Sequence, residues 1–167
     1  MPREQSAVPA ASSTQAFGGK YLTFVLDAEE YAVSVLKVRE IIKVMDITSV
    51  PQLPPYVKGV INLRGKVVPI VDMRMKFGLA ARDYSERTCI IVVEVTVRSR
   101  VVMMGVIVDS VSEVVTISTE EVAAPPDFGG AKEDGWVEAL AKVKGHVKIL
   151  LNLDKMLGAD SDLIRAA

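Results

Sequence analysis

"VKGVINLRGKVVPIVD", Val57 to Asp72, is an apolar, β-branched stretch interrupted at its centre by an arginine and a glycine. β-Branched residues favour strands and Gly65 accepts a positive φ, so the stretch predicts a hairpin bending at or beside Arg64-Gly65. A turn there lifts the planar donor fork of Arg64 off the sheet, free to engage a carboxylate or carbonyl on another surface. On this stretch alone an ordinary exposed hairpin arginine is the simpler reading. Asn62 could instead hydrogen-bond the local backbone as a turn former. Pro69 brings no N–H to the returning strand, which is consistent with an edge.

The same grammar extends to both sides. Upstream, "KYLTFVLD" and "EYAVSVL" flank the polar tip "DAEE", a second hairpin with Asp27 and Glu29 facing water. "KVREIIKV" fits a strand or a helical turn, and "PQLPPY" is a loop in which three prolines remove backbone donors. Downstream, Asp72 caps a short helix over "MRMKFGL" that Gly78 ends, and "ARDYSER" is a polar connection. "TCIIVVEVTV", "RVVMMGVIV" and "SEVVTIS" are three strands joined through Arg98-Ser99 and Asp109-Ser110, links short enough for antiparallel neighbours. "PPDFGGAKEDG" is a loop by composition, "WVEALAKVKGHVKILLNLD" a last hairpin bending at Lys144-Gly145, and "DKMLGADSDLIRAA" a short capped helix with a tail. The second half repeats the grammar of the first without repeating its letters.

Roughly ten short, closely spaced strands suggest an all-β sandwich or a pair of small barrels. Runs such as Ile90 to Val95 are apolar on both faces. Two barrels pressed together would bury both faces of such a strand, one inside a barrel and one between the two. Residues 1–19, rich in Ala, Ser and Pro, read as a flexible tail, with a first region over about 20–82 and a second over 83–152. Strand exchange between the regions is possible at their ends, the folded domain closes near residue 158, and 159–167 read as a C-terminal tail.

A chain of 167 residues that is half hydrophobic and one quarter charged can bury a core without metal or disulfides. Its net charge of −1 argues against affinity won from a phosphate backbone. The one cysteine, Cys89, lies in a strand run far from the one histidine, and reads as a small core hydrophobe in a reducing cytoplasm. No apolar run is long enough to insert in a membrane. Charge is unevenly spread: residues 58–87 carry seven basic and three acidic side chains, and 109–138 eight acidic and one basic, which suits two surfaces for different partners or for copies of the chain.

Chemistry is harder to find. His146 beside Gly145 reads as a solvated turn residue, and Glu29-Glu30 and Glu120-Glu121, as strand neighbours, would face opposite ways. No nucleotide loop, metal pattern or nucleophile with a base is present, so no cofactor is expected. An enzyme assembled from dispersed carboxylates would need a retained metal or cofactor. A small-barrel module for single-stranded nucleic acid is the alternative from another class, although the nine aromatic residues are scattered along the chain.

"EYAVSVLKVREII", "PPYVKGVINLRGKVVPIVDMRMKFG", "GVIVDSVSEVVTI" and "VKILLNLDKML", in this order and spacing, resemble the CheW family of chemotaxis coupling proteins. The likeness spans nearly everything from Tyr21 to Leu157 and is most specific around "KGVINLRGKVVPIVDMR". It implies two SH3-like five-stranded β-barrels, with short helices, packed around a shared hydrophobic core. It also implies a non-catalytic cytoplasmic adaptor, recruited to membrane-bound receptor arrays, that joins the cytoplasmic tips of methyl-accepting chemoreceptors to the regulatory domain of the histidine kinase CheA. Other copies of the adaptor are further partners in such arrays. Position by position, the resemblance implies partner contacts at or near Val38, Glu40, Arg64, Gly65, Val111 and Val114. Gly59 becomes a backbone constraint and Asn62 a structural neighbour of the site. Ala139 departs from the glycine usual in the family.

Overall fold

The computed structural model describes residues 18–124 and 135–166, with side chains to Ser161. The expected loop "PPDFGGAKEDG" and the expected N-terminal tail therefore lie almost wholly outside the described residues. The chain is all-β with short helices: β1 Gly19–Leu26, β2 Glu29–Ser34, β3 Val38–Lys43, β4 Val57–Leu63, β5 Lys66–Asp72, helix α1 Met73–Lys76, β6 Cys89–Val97, β7 Arg100–Val108, β8 Ser110–Ile117, β9 Val122–Ala123, β10 Val137–Val143, β11 His146–Leu151 and helix α2 Leu153–Ala166. They form two sheets. A central sheet has the order β3-β6-β7-β5-β4, and a terminal sheet the order β8-β1-β2-β11-β10-β9.

Strands apolar on both faces bury one face in each of two cores. Ile90 and Val92 point into the interior of the central sheet with Ile61, Leu63, Val68, Ile70 and Ile107. Their neighbours Ile91, Val93 and Val95 point the other way, into a core shared with Leu22, Phe24 and Leu26 of the terminal sheet. The terminal sheet curls around a smaller interior of Tyr21, Ala32, Val115, Ala139, Ala141 and Leu150. Each fully buried valine or isoleucine contributes about 1.5–3 kcal/mol, which makes the shared core the main force joining the sheets.

Several local expectations meet a different tertiary answer. "KVREII" is a strand, β3, whose ladder to β6 supplies the partner that its own periodicity left open. Asp109 does not join antiparallel neighbours: β7 pairs with β6 and β8 with β1, so the chain crosses between sheets there. Among the described residues, the one other crossing is the 3-10 turn Val35–Lys37, between β2 and β3. The central sheet is therefore built from residues 38–108, and the N-terminal hairpin joins the C-terminal strands in the terminal sheet. β5 is not an edge, since it lies between β4 and β7; its parallel ladder to β7 begins only at Ile70, so Pro69 costs that ladder no donor. Where a tail is expected from residue 159, α2 continues to Ala166. Buried Asp160 anchors it, accepting hydrogen bonds from Tyr56 Oη at 2.9 Å and Lys76 Nζ at 2.8 Å.

The repeated grammar becomes a structural repeat. Lys144-Gly145 stands 80 residues after Arg64-Gly65, and both pairs make positive-φ two-residue turns. Both hairpins carry a bulge at the same place, Val57/Gly59 and Val137/Ala139, and both returning strands run parallel to a neighbour. Asp72 caps α1 through Met75 N–H, and Asn152 likewise accepts from Lys155 N–H in α2. On this correspondence β3 matches β8, β6 matches β1 and β7 matches β2.

Candidate partner-binding site

Arg64 and Gly65 occupy the hairpin turn with φ of 52° and 87°. An arginine in the left-handed region is strained, and Asn62 offsets this by accepting the Gly65 N–H at 2.8 Å. The Arg64 guanidinium stands mostly in solvent and donates through Nη2 to Glu40 Oε2 on β3. That hydrogen bond, and the Glu40 charge, raise the Arg64 pKa further above its ordinary value. Since β3 and β4 are the two ends of the central sheet, the pair shows how far that sheet curls. The same curl sets Thr48, just beyond β3, in a bridge with Val60 of β4. Gly59 makes this approach feasible: a Cβ there would lie 2.0 Å from the Thr48 carbonyl oxygen, and its φ is 136°.

Beside the turn, β5 and β7 diverge and leave a groove of about 520 Å³ lined by Lys66, Val67, Pro69, Val101 and Met103, with Arg39 and Glu94 at its far end. Arg39 and Glu94 are ion-paired at 2.6 Å. Val67 is 72% exposed and Val101 62% exposed, so the groove presents apolar surface to solvent. Sequence reading missed this groove. "KVV" and "RVVMM" look like ordinary buried strand ends, and only the divergence of β5 from β7 uncovers them.

The sequence-predicted residues divide between the sheets. Glu40, Arg64, Gly65 and Asn62 come together, with Gly59 beneath them, and Val38 lies two residues along β3, half-buried against the shared core. Val111 and Val114 belong to β8 of the terminal sheet; Val111 packs on the shared core and Val114 is exposed. They are not neighbours of Arg64. They occupy instead the equivalent place in the other half, since the bulged pairings of β3 on β6 and of β8 on β1 match Val38 to Val111 and Glu40 to Glu113.

Two other expectations change. The basic run 58–87 is not one exposed face: Arg74 and Lys76 are buried in ion pairs, and Arg82 is bound to Asp27 and Asp109. Asp27 is exposed, as expected for the hairpin tip, and also joins this ion network. Among the described residues, the rings of Phe24, Tyr31, Phe77 and Trp136 pack on one another in sequence at 5.8, 5.3 and 5.9 Å, the middle pair tilted and the outer two stacked, and so are engaged within the protein. Burial pushes the Cys89 thiol pKa up, in keeping with a packed hydrophobe. No cluster of metal-ligating side chains occurs among the described residues, and no helix there is long and apolar enough to cross a membrane.

Residues 20–161 match the family described as CheW-like domain. The chemotaxis protein CheW of Klebsiella aerogenes is 34% identical over 143 residues, 86% of this chain and 84% of that protein. The CheW of Rhizobium meliloti is 35% identical over 143 residues, 86% of this chain and 90% of its own length. Among solved structures, the scaffolding protein TtCheW from Thermoanaerobacter tengcongensis superposes with a TM-score of 0.73 at 31% identity, over 84% of this chain and 93% of that one.

Proposed function

This chain belongs to the CheW-like domain family, and from that premise we propose that it is a non-catalytic adaptor coupling chemoreceptors to the histidine kinase CheA. One observation carries the reading: a turn stiffened by Asn62 and tied by Arg64 to Glu40 stands beside a groove in which Val67 and Val101 are left in water. Such a surface has what a protein contact needs, an apolar centre with a fixed charged rim. Covering the two valines takes apolar surface out of water, a modest gain suited to a reversible contact that an array strengthens through multivalency. The kinase's regulatory domain is the partner assigned to this face. The receptor's helical tip is assigned to the Val38, Val111 and Val114 surfaces, with further copies of the chain as additional partners in the array. Recruitment to receptor arrays at the membrane follows from these contacts.

The test is reconstitution with receptor-containing membranes and kinase. Arg64→Ala and Glu40→Ala should each weaken kinase binding about ten-fold, while unfolding midpoints stay close to wild type. Folded variants that bind and couple as wild type would remove these residues from the site. Wild-type protein that gives receptors no control of the kinase would remove the adaptor reading itself.

A further inference from the structure

Among the described residues the chain passes between its two sheets twice, and each passage is gripped by the second residue of one helix. At the β7–β8 passage Arg74 of α1 donates through Nη1 to Asp109 at 2.8 Å and to Asp27 at 3.3 Å, and through Nε to the Ala80 carbonyl at 2.9 Å. Asp109 Oδ2 also accepts the Asp27 N–H at 2.8 Å, so the passage, the β1–β2 turn and α1 are tied at one point. At the β2–β3 passage Asp154 of α2 accepts from Lys37 Nζ at 3.0 Å and from the Thr96 N–H of β6 at 2.8 Å.

These two clusters are the same device built twice. Arg74 and Asp154 hold equivalent positions, 80 residues apart. Their second anchors are equivalent as well, since the β1 and β6 pairings match Asp27 to Thr96. Each helix follows a hairpin of one sheet and reaches an anchor on the other, Arg74 from the central sheet to Asp27, and Asp154 from the terminal sheet to Thr96. The polarity is reversed: the helix supplies the cation in one cluster and the anion in the other. Burial differs too. The side chains of Arg74 and Asp109 are 9% and 16% exposed, those of Lys37 and Asp154 33% and 34%.

We propose that the Arg74–Asp109–Asp27 and Asp154–Lys37–Thr96 clusters are paired latches that set the angle between the two sheets, making Arg74, Asp109 and Asp154 positioning residues for coupling. The coupling part rests on the adaptor reading. An adaptor that holds one partner on the Arg64–Glu40 face and another on the Val111 and Val114 face transmits orientation only if those faces keep a fixed relation. Asp109 stands two residues before Val111, so loosening it frees the terminal-sheet face with respect to the central one. Buried charge-assisted hydrogen bonds are directional where apolar packing is not, which suits them to fixing an angle.

The test uses full-length chain with Cys89→Ala and spin labels at Val67→Cys and Val147→Cys, one exposed site on each sheet. Wild type should give one narrow distance distribution, and Asp109→Asn and Arg74→Gln should widen it about two-fold or shift it by a few ångström. Asp154→Asn keeps an acceptor for Thr96 and should widen it less. Arg74→Lys, retaining the charge without the fork, should fall between wild type and Arg74→Gln. In unlabelled protein the affinities for receptor fragment and for kinase, each measured alone, should stay within about three-fold, while receptor control of the kinase drops about ten-fold.

Unchanged distance distributions in folded variants overturn the latches. Control lost only in proportion to single affinities overturns their positioning role. If Asp109→Asn does not fold, the Asp154→Asn and Arg74→Lys distributions decide the matter. If wild type itself does not couple receptor to kinase, the adaptor reading falls, and the distances still decide whether the latches set the angle.

Discussion

The β4–β5 and β10–β11 hairpins share turn, bulge, helix cap and parallel neighbour, yet their side chains are spent differently. In the first, Arg64 is bound to Glu40 across the curl of the sheet, and the interior beneath is wholly apolar, with Val68 fully packed and Met103 partly so. In the second, no ion pair joins the equivalent Lys144 and Glu113, and the places of Val68 and Met103 are taken by Lys148 and Glu30, which pair with each other. One backbone thus serves two chemistries. The half with the clamp and the dry interior is fitted to hold a rigid docking face, and the half with small residues and an internal ion pair is fitted more loosely.

Exchanging residues between equivalent positions breaks this comparison most strongly at Gly59. Ala139 occupies the same place in the second hairpin, but an alanine at Gly59 would press its Cβ into the Thr48 carbonyl in a left-handed conformation. Gly59→Ala should lower unfolding free energy by about 3 kcal/mol, and Ala139→Gly by about 0.5–1 kcal/mol, as read from urea denaturation. Equal losses would mean that the two bulges are not distinguished by close approach.

The internal ion pair comes next in size. Lys148→Ala should cost about 2 kcal/mol, less than a fully buried pair because Glu30 reaches water, while Lys148→Met with Glu30→Met together should be close to neutral. The hydrogen bond from Lys148 lowers the Glu30 pKa below its usual value. Its contribution is therefore present above the unfolded carboxylate value of about 4.3 and is lost as pH falls through the lower folded value. Stability measured between neutral pH and pH 3 should lose this component in Lys148→Ala. An unaltered acid limb would show that Glu30 does not sense Lys148.

The smallest effect sharpens the comparison at the helices. Tyr56 and Trp136 are equivalent, and Lys76 lies over both rings, 4.3 and 4.9 Å from their centres. Burial, then the hydrogen bond to Asp160, pushes the Tyr56 pKa up to about 12. A raised pKa favours the fold fully below the unfolded value of about 10, and that contribution fades as pH rises toward 12. Tyr56→Phe should flatten the alkaline limb between those values, whereas Trp136→Phe should leave its slope unchanged. Identical alkaline limbs in wild type and Tyr56→Phe would exclude the phenol as its source.

Much of the candidate site was legible because it is local. Gly65 announces the bend, Asn62 lies within hydrogen-bond reach of it along the chain, and Asp72 precedes an apolar turn that it can cap. Glu40 and Arg64 were both singled out by family resemblance, but their mutual contact was not foreseen, since it depends on how far the sheet curls. The groove at Val67 and Val101 was illegible for a related reason: valine has the same strand preference whether covered or exposed, so only the parting of β5 and β7 exposes it. The basic run 58–87 does not make one exposed surface, because the partners of Arg74 and Lys76, Asp109 and Asp160, are supplied by distant segments.

By itself the sequence determined strands, turns and caps, because these depend on backbone preferences and hydrogen bonds between residues a few positions apart. Its two-sided apolar strands also required burial on both faces. Tertiary structure alone decided that the N-terminal hairpin joins the C-terminal strands, that Asp109 crosses between sheets and that the last segment is an anchored helix. Those outcomes depend on which distant surfaces meet, and a hydrophobic pattern states that a face must be covered without stating by what.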